Sequence, residues 1–173
     1  MSDRGVAIQN DSYMYGPGTR WGAIWAGVFT FAAIWSVFET LGVAIFPTTA
    51  NGVSVGLQVW TVVLTIIAMY VAGLETGRLA GVANRHDGLV HGIIMFGLSA
   101  VSAVVLTGLA TGVLTGANAA HTVYISTGTQ WGYFCAFFFG WLAAMGGAST
   151  GVARRVTART SVTREPIQMR PAA

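Results

Sequence analysis

Polar residues along this chain gather into clusters, and between them run four stretches of apolar and small residues, roughly Trp21 to Phe46, Val55 to Ala80, Gly88 to Gly116 and Gln130 to Ala153. A helix rising 1.5 Å per residue needs about 20 residues to cross about 30 Å of hydrocarbon. Each stretch exceeds that length, so the pattern predicts four membrane-spanning helices. The expected fold class is all-α: a polytopic membrane protein built as a four-transmembrane-helix bundle. The first span follows a polar leader, is too long for a signal-peptide core and lacks a small-residue cleavage site, so it is expected to be retained. Pro47 closes it, and the linkers Pro47 to Ser54 and Ala117 to Thr129 carry the Asn, Thr, Ser and Gly of turns.

Composition narrows the class. Of 173 residues, 54% are hydrophobic and 9% charged, against about 25% charged in a soluble domain. The formal charge of +3 comes from nine arginines and no lysine against six acids. So few cations on so apolar a chain argue against a nucleic-acid partner. The position of those arginines carries more information than their number. If the helices alternate, Arg4, Arg20, Arg78, Arg85, Arg154, Arg155, Arg159, Arg164 and Arg170 all fall on one side, and the two uncharged linkers on the other. The positive-inside rule then puts both termini in the cytoplasm. Trp21 at the inner boundary and Trp60, Tyr124, Trp131 and Tyr133 at the outer one agree with this placement. The expected organisation is a cytoplasmic leader over 1–20, a transmembrane domain over 21–153 and an Arg-rich cytoplasmic tail over 154–173, disordered on the inner surface and near anionic lipid.

Small residues recur at helical spacing. Gly73, Gly77 and Gly81 form one stripe, Gly108, Gly112 and Gly116 a second, and Ala143, Gly147 and Gly151 a third. Helices in lipid associate where small residues let backbones approach, so these stripes are candidate packing faces, either within one bundle or toward a second copy or a larger complex. The run Gly73-Leu74-Glu75-Thr76-Gly77 also resembles Gly147-Ala148-Ser149-Thr150-Gly151, and Gln58 with Trp60 echoes Gln130 with Trp131. This reads either as two parallel hairpin repeats related by an axis along the membrane normal, or as the ordinary frequency of Gly and Thr near helix ends.

Candidate chemistry is sparse. Glu39 falls in the outer half of the first span, beside Trp35 and Ser36 at i−4 and i−3. There a carboxylate is costly, and it serves either as a proton or cation site of a transporter or as a protonated carboxyl bonded to a neighbouring helix. Glu75 and Arg78, at i and i+3, are expected to pair near the cytoplasmic end of the second span, with a transport role as the alternative. In the loop Asn84-Arg85-His86-Asp87-Gly88, Asp87 is expected to cap the third span and to contact His91. His91 is also a weak candidate ligand for a pigment or quinone. His86 and His91, at i and i+5, face different ways and do not make a haem pair. His121 reads as a solvated loop residue. Cys135 has no partner for an intrachain disulfide, no zinc-ligand set exists, and no nucleophile–base pair or phosphate loop is present, so neither a catalytic centre nor a resident metal or cofactor is expected.

The segments Arg20-Trp21-Gly22-Ala23-Ile24-Trp25-Ala26-Gly27, Gly77-Arg78-Leu79-Ala80-Gly81 and Arg85-His86-Asp87-Gly88-Leu89-Val90-His91-Gly92 resemble small bacterial four-span membrane proteins of the "PhnA-like" type. The resemblance covers about residues 20 to 116. It implies a multi-pass protein of the bacterial cytoplasmic membrane and no particular activity, phosphonate chemistry included. The fourth span and the tail lie outside it. The functional expectation is an accessory or structural membrane subunit, homo-oligomeric or part of a larger complex, with a small-solute or proton-coupled transporter using Glu39 as the alternative.

Overall fold

The computed structural model describes the backbone of residues 19–46, 54–82, 84–115 and 127–163, and the side chains within 19–46, 54–82, 84–106 and 130–154. Four helices account for nearly all of it: α1 Trp21–Ile45, α2 Val55–Ala80, α3 Arg85–Thr115 and α4 Thr127–Thr163. All four are long and apolar enough to cross a membrane. Their outward faces carry Phe29, Val37 and Leu41 on α1, Val59, Val63 and Ile67 on α2, Val101 and Val104 on α3, and Phe134 and Phe138 on α4. In water such surfaces would drive aggregation; in a bilayer they are the lipid-facing coat. The protein is an integral, multi-pass membrane protein whose helices contact lipid.

Helix ends follow local chemistry. Ser54 caps α2, its Oγ accepting from the Leu57 amide at 3.3 Å. Gly81 ends α2 in the left-handed region, with φ 68° and ψ 14°. This corrects the reading of Gly81 as the third residue of a packing stripe: it is the stop signal that turns the chain into α3, a conformation costing about 1–2 kcal/mol for a residue with a Cβ. Gly81→Ala is therefore expected to lower stability by about 1 kcal/mol, with Gly81→Asn costing less. Reversible SDS unfolding followed by circular dichroism measures both.

Two other expectations are corrected. α3 begins at Arg85, so Asp87 lies inside the first turn, where a carboxylate favours the helix dipole without capping it. The Gly88 amide bonds back to the Asn84 carbonyl at 3.2 Å, extending the helix one turn earlier than the apolar pattern indicated. α4 does not stop at Ala153 either. It continues through Arg154, Arg155 and Arg159 to Thr163, so the first part of the tail is helical. Arginine is a good helix former, and nothing in the run from Arg154 to Thr163 breaks the ladder.

Both hairpins are antiparallel, and α2 and α4 run parallel at the centre, the most extensive of the helix pairs. Gly73 faces the Ala144 backbone and Gly77 the Ala148 backbone; in return Gly147 faces the Tyr70 carbonyl and Gly151 the Leu74 carbonyl. At each of the four, a Cβ would sit well inside van der Waals contact with a main-chain oxygen. The backbones themselves are the contact surface. Tyr70 Oη and Thr150 Oγ1, 3.3 Å apart, join the same pair; because Thr150 spends its hydrogen on the Gly147 carbonyl at 2.8 Å, Tyr70 is the donor.

The four contacts are reciprocal. Shifting Gly73 and Ala144 by 74 positions in opposite senses gives Gly147 and Tyr70, and Gly77 with Ala148 gives Gly151 with Leu74. A local two-fold axis parallel to the helices relates α2 to α4. The outer helices do not obey it. α3 packs on α1, α2 and α4, its Gly88 and Gly92 lying against Ala148 and Ala144, while among the described residues α1 meets only α2 and α3. All four helices meet in one apolar cluster, Ile24, Val28, Met69, Ala72, Met95 and Ala144, in the half of the bundle that also carries Arg20, Arg78, Arg85 and Arg154.

Candidate functional site

The halves of α1 and α2 farther from the arginines build the site. Helical spacing places Ile24, Gly27, Val28, Phe31, Trp35, Glu39 and Gly42 on one side of α1. Gly27 and Gly42 let α2 come close: Gly27 meets Thr76, Met95 and the Ala72 carbonyl, and Gly42 meets the Trp60 indole. Trp60 Nε1 donates to the Phe38 carbonyl at 3.1 Å, and its ring lies 6.4 Å from that of Phe46. This clamp fixes the register of the hairpin and sets Glu39 opposite Thr61.

Thr61 Oγ1 lies 2.8 Å from Glu39 Oε1 and 2.9 Å from the Leu57 carbonyl oxygen. Glu39 Oε2 is buried and has no hydrogen-bond partner. One turn further in, Thr65 Oγ1 donates to the Thr61 carbonyl at 2.7 Å. Below it the same side of α2 carries Ala68 and Ala72, both fully buried, and then Thr76, whose hydroxyl is spent on the Ala72 carbonyl at 2.9 Å. The polar stretch is therefore closed toward the arginine-bearing end by packed alanines. The sequence-level neighbours of Glu39, Trp35 and Ser36, are not its hydrogen-bonding partners; the Ser36 carbonyl instead accepts from Thr40 at 2.8 Å. The missed residue is Thr61, and the signal for it was the recurrence of Ser54, Gln58, Thr61 and Thr65 at spacings of three and four along α2.

The other candidates lie elsewhere. Arg78 Nη1 and Glu75 Oε1 are 2.9 Å apart near the C-terminal end of α2, on a surface more than a third exposed. Such a pair contributes little stability. Ser149, at the equivalent position of α4, bonds its own helix through the Gly146 carbonyl at 2.9 Å. Gly108 and Gly112 belong to α3, in the part whose packing lies outside the described side chains; Gly116, His121 and the leader's Tyr13 and Tyr15 lie outside the described residues.

His91 is buried, and both its ring nitrogens are occupied. Nδ1 lies 2.7 Å from the Asp87 carbonyl, which can only accept, so Nδ1 carries the hydrogen. Nε2 then accepts from the Arg20 backbone amide at 3.2 Å. This corrects His91 as a pigment or quinone ligand: its lone pair ties the start of α1 to α3. The expected Asp87 contact exists, but through the main chain rather than the carboxylate. Among the described residues no three metal-binding side chains converge.

Comparisons with protein-family models, with curated proteins and with solved structures found no match to this chain. The class of protein, an integral membrane bundle, accordingly rests on its own helices.

Proposed function

We propose that the protein is an accessory or structural subunit of the membrane, assembling with itself or with a larger membrane complex. The observation that supports this most is the closure of the arginine-bearing half of the bundle. Main chain lies against main chain along α2 and α4, and Ile24, Met69, Ala72 and Met95 fill the space beside them. A core of this density is suited to holding shape, and rigid backbone contacts resist the rocking that alternating access requires. Gly73, Gly77, Gly147 and Gly151 are engaged inside the chain, which leaves the aromatic flank of α4, Trp131, Phe134 and Phe138, and the exposed side of α1 as the surfaces open to a partner.

The orientation proposed is both termini in the cytoplasm of a bacterium, in its cytoplasmic membrane. It is supported by the gathering of Arg20, Arg78, Arg85 and Arg154 at one end of the bundle and by the family resemblance of residues 20 to 116. The test is native mass spectrometry of a mild-detergent extract. A fixed-stoichiometry assembly is the expected result, and a lone monomer under the same conditions removes the subunit reading. The second reading, a small-solute or proton-coupled transporter, is favoured by Glu39 in its polar niche. It requires flux in proteoliposomes that Glu39→Gln abolishes.

A further inference from the structure

We propose that Glu39 is a proton-binding site: a carboxyl held as the neutral acid between α1 and α2, donating to Thr61 and exchanging its proton with the side of the membrane opposite the arginines. The argument starts from hydrogen counting. A threonine hydroxyl has one hydrogen, and here it has two oxygen neighbours, the Leu57 carbonyl at 2.9 Å and Glu39 Oε1 at 2.8 Å. The carbonyl can only accept. Both contacts are fully made when Thr61 donates to Leu57 and accepts a hydrogen from Glu39, which requires that Oε1 carry a proton. The remaining oxygen, Oε2, is buried without a donor. As half of a carboxylate it would hold negative charge in an apolar setting with nothing to compensate it; as the carbonyl of a neutral acid its lack of a partner costs far less.

Among the described residues no countercharge stands nearby. α1 has no other charged residue within its span. Of its two neighbours, α2 has only Glu75, Arg78 and the phenol of Tyr70, at least nine residues beyond Thr61, a rise of more than about 13 Å. α3 has only Arg85, His86, Asp87 and His91, all in its first two turns at the opposite end. Tyr133 and Cys135 of α4 are on a helix that does not touch α1 among the described residues. The carboxyl is therefore neutralised by a proton rather than by a cationic side chain.

The direction of exchange follows from what lies above and below. Glu39 is six residues from the end of α1 and Thr61 six from the start of α2, about 9 Å in each case. Ser54 and Gln58 carry polar groups from Thr61 to that end, whereas Ala68 and Ala72 close the other direction. A proton leaving Oε1 passes to water at the near surface, leaving a carboxylate that takes a hydrogen bond from Thr61 at the expense of Leu57. The site stores a proton and gives it back to the same side.

The test uses the full-length protein in lipid vesicles, with orientation set by trypsin access to the Arg-rich segment. Infrared spectroscopy at neutral pH is expected to show a protonated-carboxyl C=O band that shifts in D2O and vanishes in Glu39→Gln. Dicyclohexylcarbodiimide, which adds to protonated carboxyls in apolar surroundings, is expected to add one equivalent, mapped to Glu39 and lost as pH rises on the side facing away from the arginines. Thr61→Val, isosteric and apolar, is expected to keep the band and move it to higher frequency. An unchanged band in Glu39→Gln, no shift in Thr61→Val, or labelling governed by pH on the arginine side would each overturn the proposal. Suppression of labelling by sodium at constant pH would also overturn it, as a cation site. None of these outcomes depends on whether the protein co-purifies with a partner.

Discussion

Gly77→Leu is expected to separate α2 from α4 and to leave the bundle only partly folded in detergent. A Cβ at this position already collides with the Ala148 main chain, and a backbone cannot swing aside as a side chain can. Intrinsic preference works the other way, since leaving glycine inside a helix costs about 0.5–1 kcal/mol relative to alanine. Even Gly77→Ala should therefore destabilise, with the overpacking term of about 1–3 kcal/mol exceeding the propensity gain. Gly146 supplies the control one position before Gly147, where a Cβ would meet open space. Gly146→Ala should be neutral or slightly stabilising. SDS-titrated unfolding of the three variants in parallel makes the comparison, and equal midpoints for Gly77→Ala and Gly146→Ala would defeat the account of α2 and α4.

The second large effect is expected at His91. Its Nε2 is the acceptor for the Arg20 amide, and α1 begins one residue later with no side-chain cap of its own. His91→Ala removes the acceptor and opens a cavity; His91→Phe keeps most of the volume and removes only the acceptor. An unsatisfied buried amide costs about 1–3 kcal/mol, so hydrogen exchange in the first turns of α1 should quicken by roughly tenfold or more in both variants. If His91→Phe exchanges like the parent protein, the histidine acts by filling space and the hydrogen bond is incidental.

Much of the architecture could be read from the chain because lipid imposes a strict length on any crossing segment. α2 was placed at Val55 to Ala80, the limits found in the structure. Helix ends outside the apolar rule were harder to place. α3 starts at Arg85 and α4 continues past Arg154, since polar residues extend a helix as readily as apolar ones once it has left the hydrocarbon. Glycine spacing located Gly73 and Gly77 but misread Gly81, because a stripe and a stop signal share the same residue and differ only in φ. Glu39 stood out as a lone acid in an apolar run. Its partner Thr61 was marked only as one of the polar positions Ser54, Gln58, Thr61 and Thr65 on one side of α2; which of them meets Glu39 depends on the register set by the Gly42 and Trp60 contact, which spacing within one helix does not encode. His91 was visible as chemistry, whereas its attachment to a backbone amide of another helix had no mark in the sequence.

The half-turn symmetry of α2 and α4 means that Gly73 and Gly147 are one structural position visited twice, as are Gly77 and Gly151. A surface that fits its own rotated image is what a two-fold dimer presents. Here the two matching faces belong to one polypeptide, so the seam constrains only the positions within it: outside it the two helices differ, with Glu75 on α2 where Ser149 stands on α4.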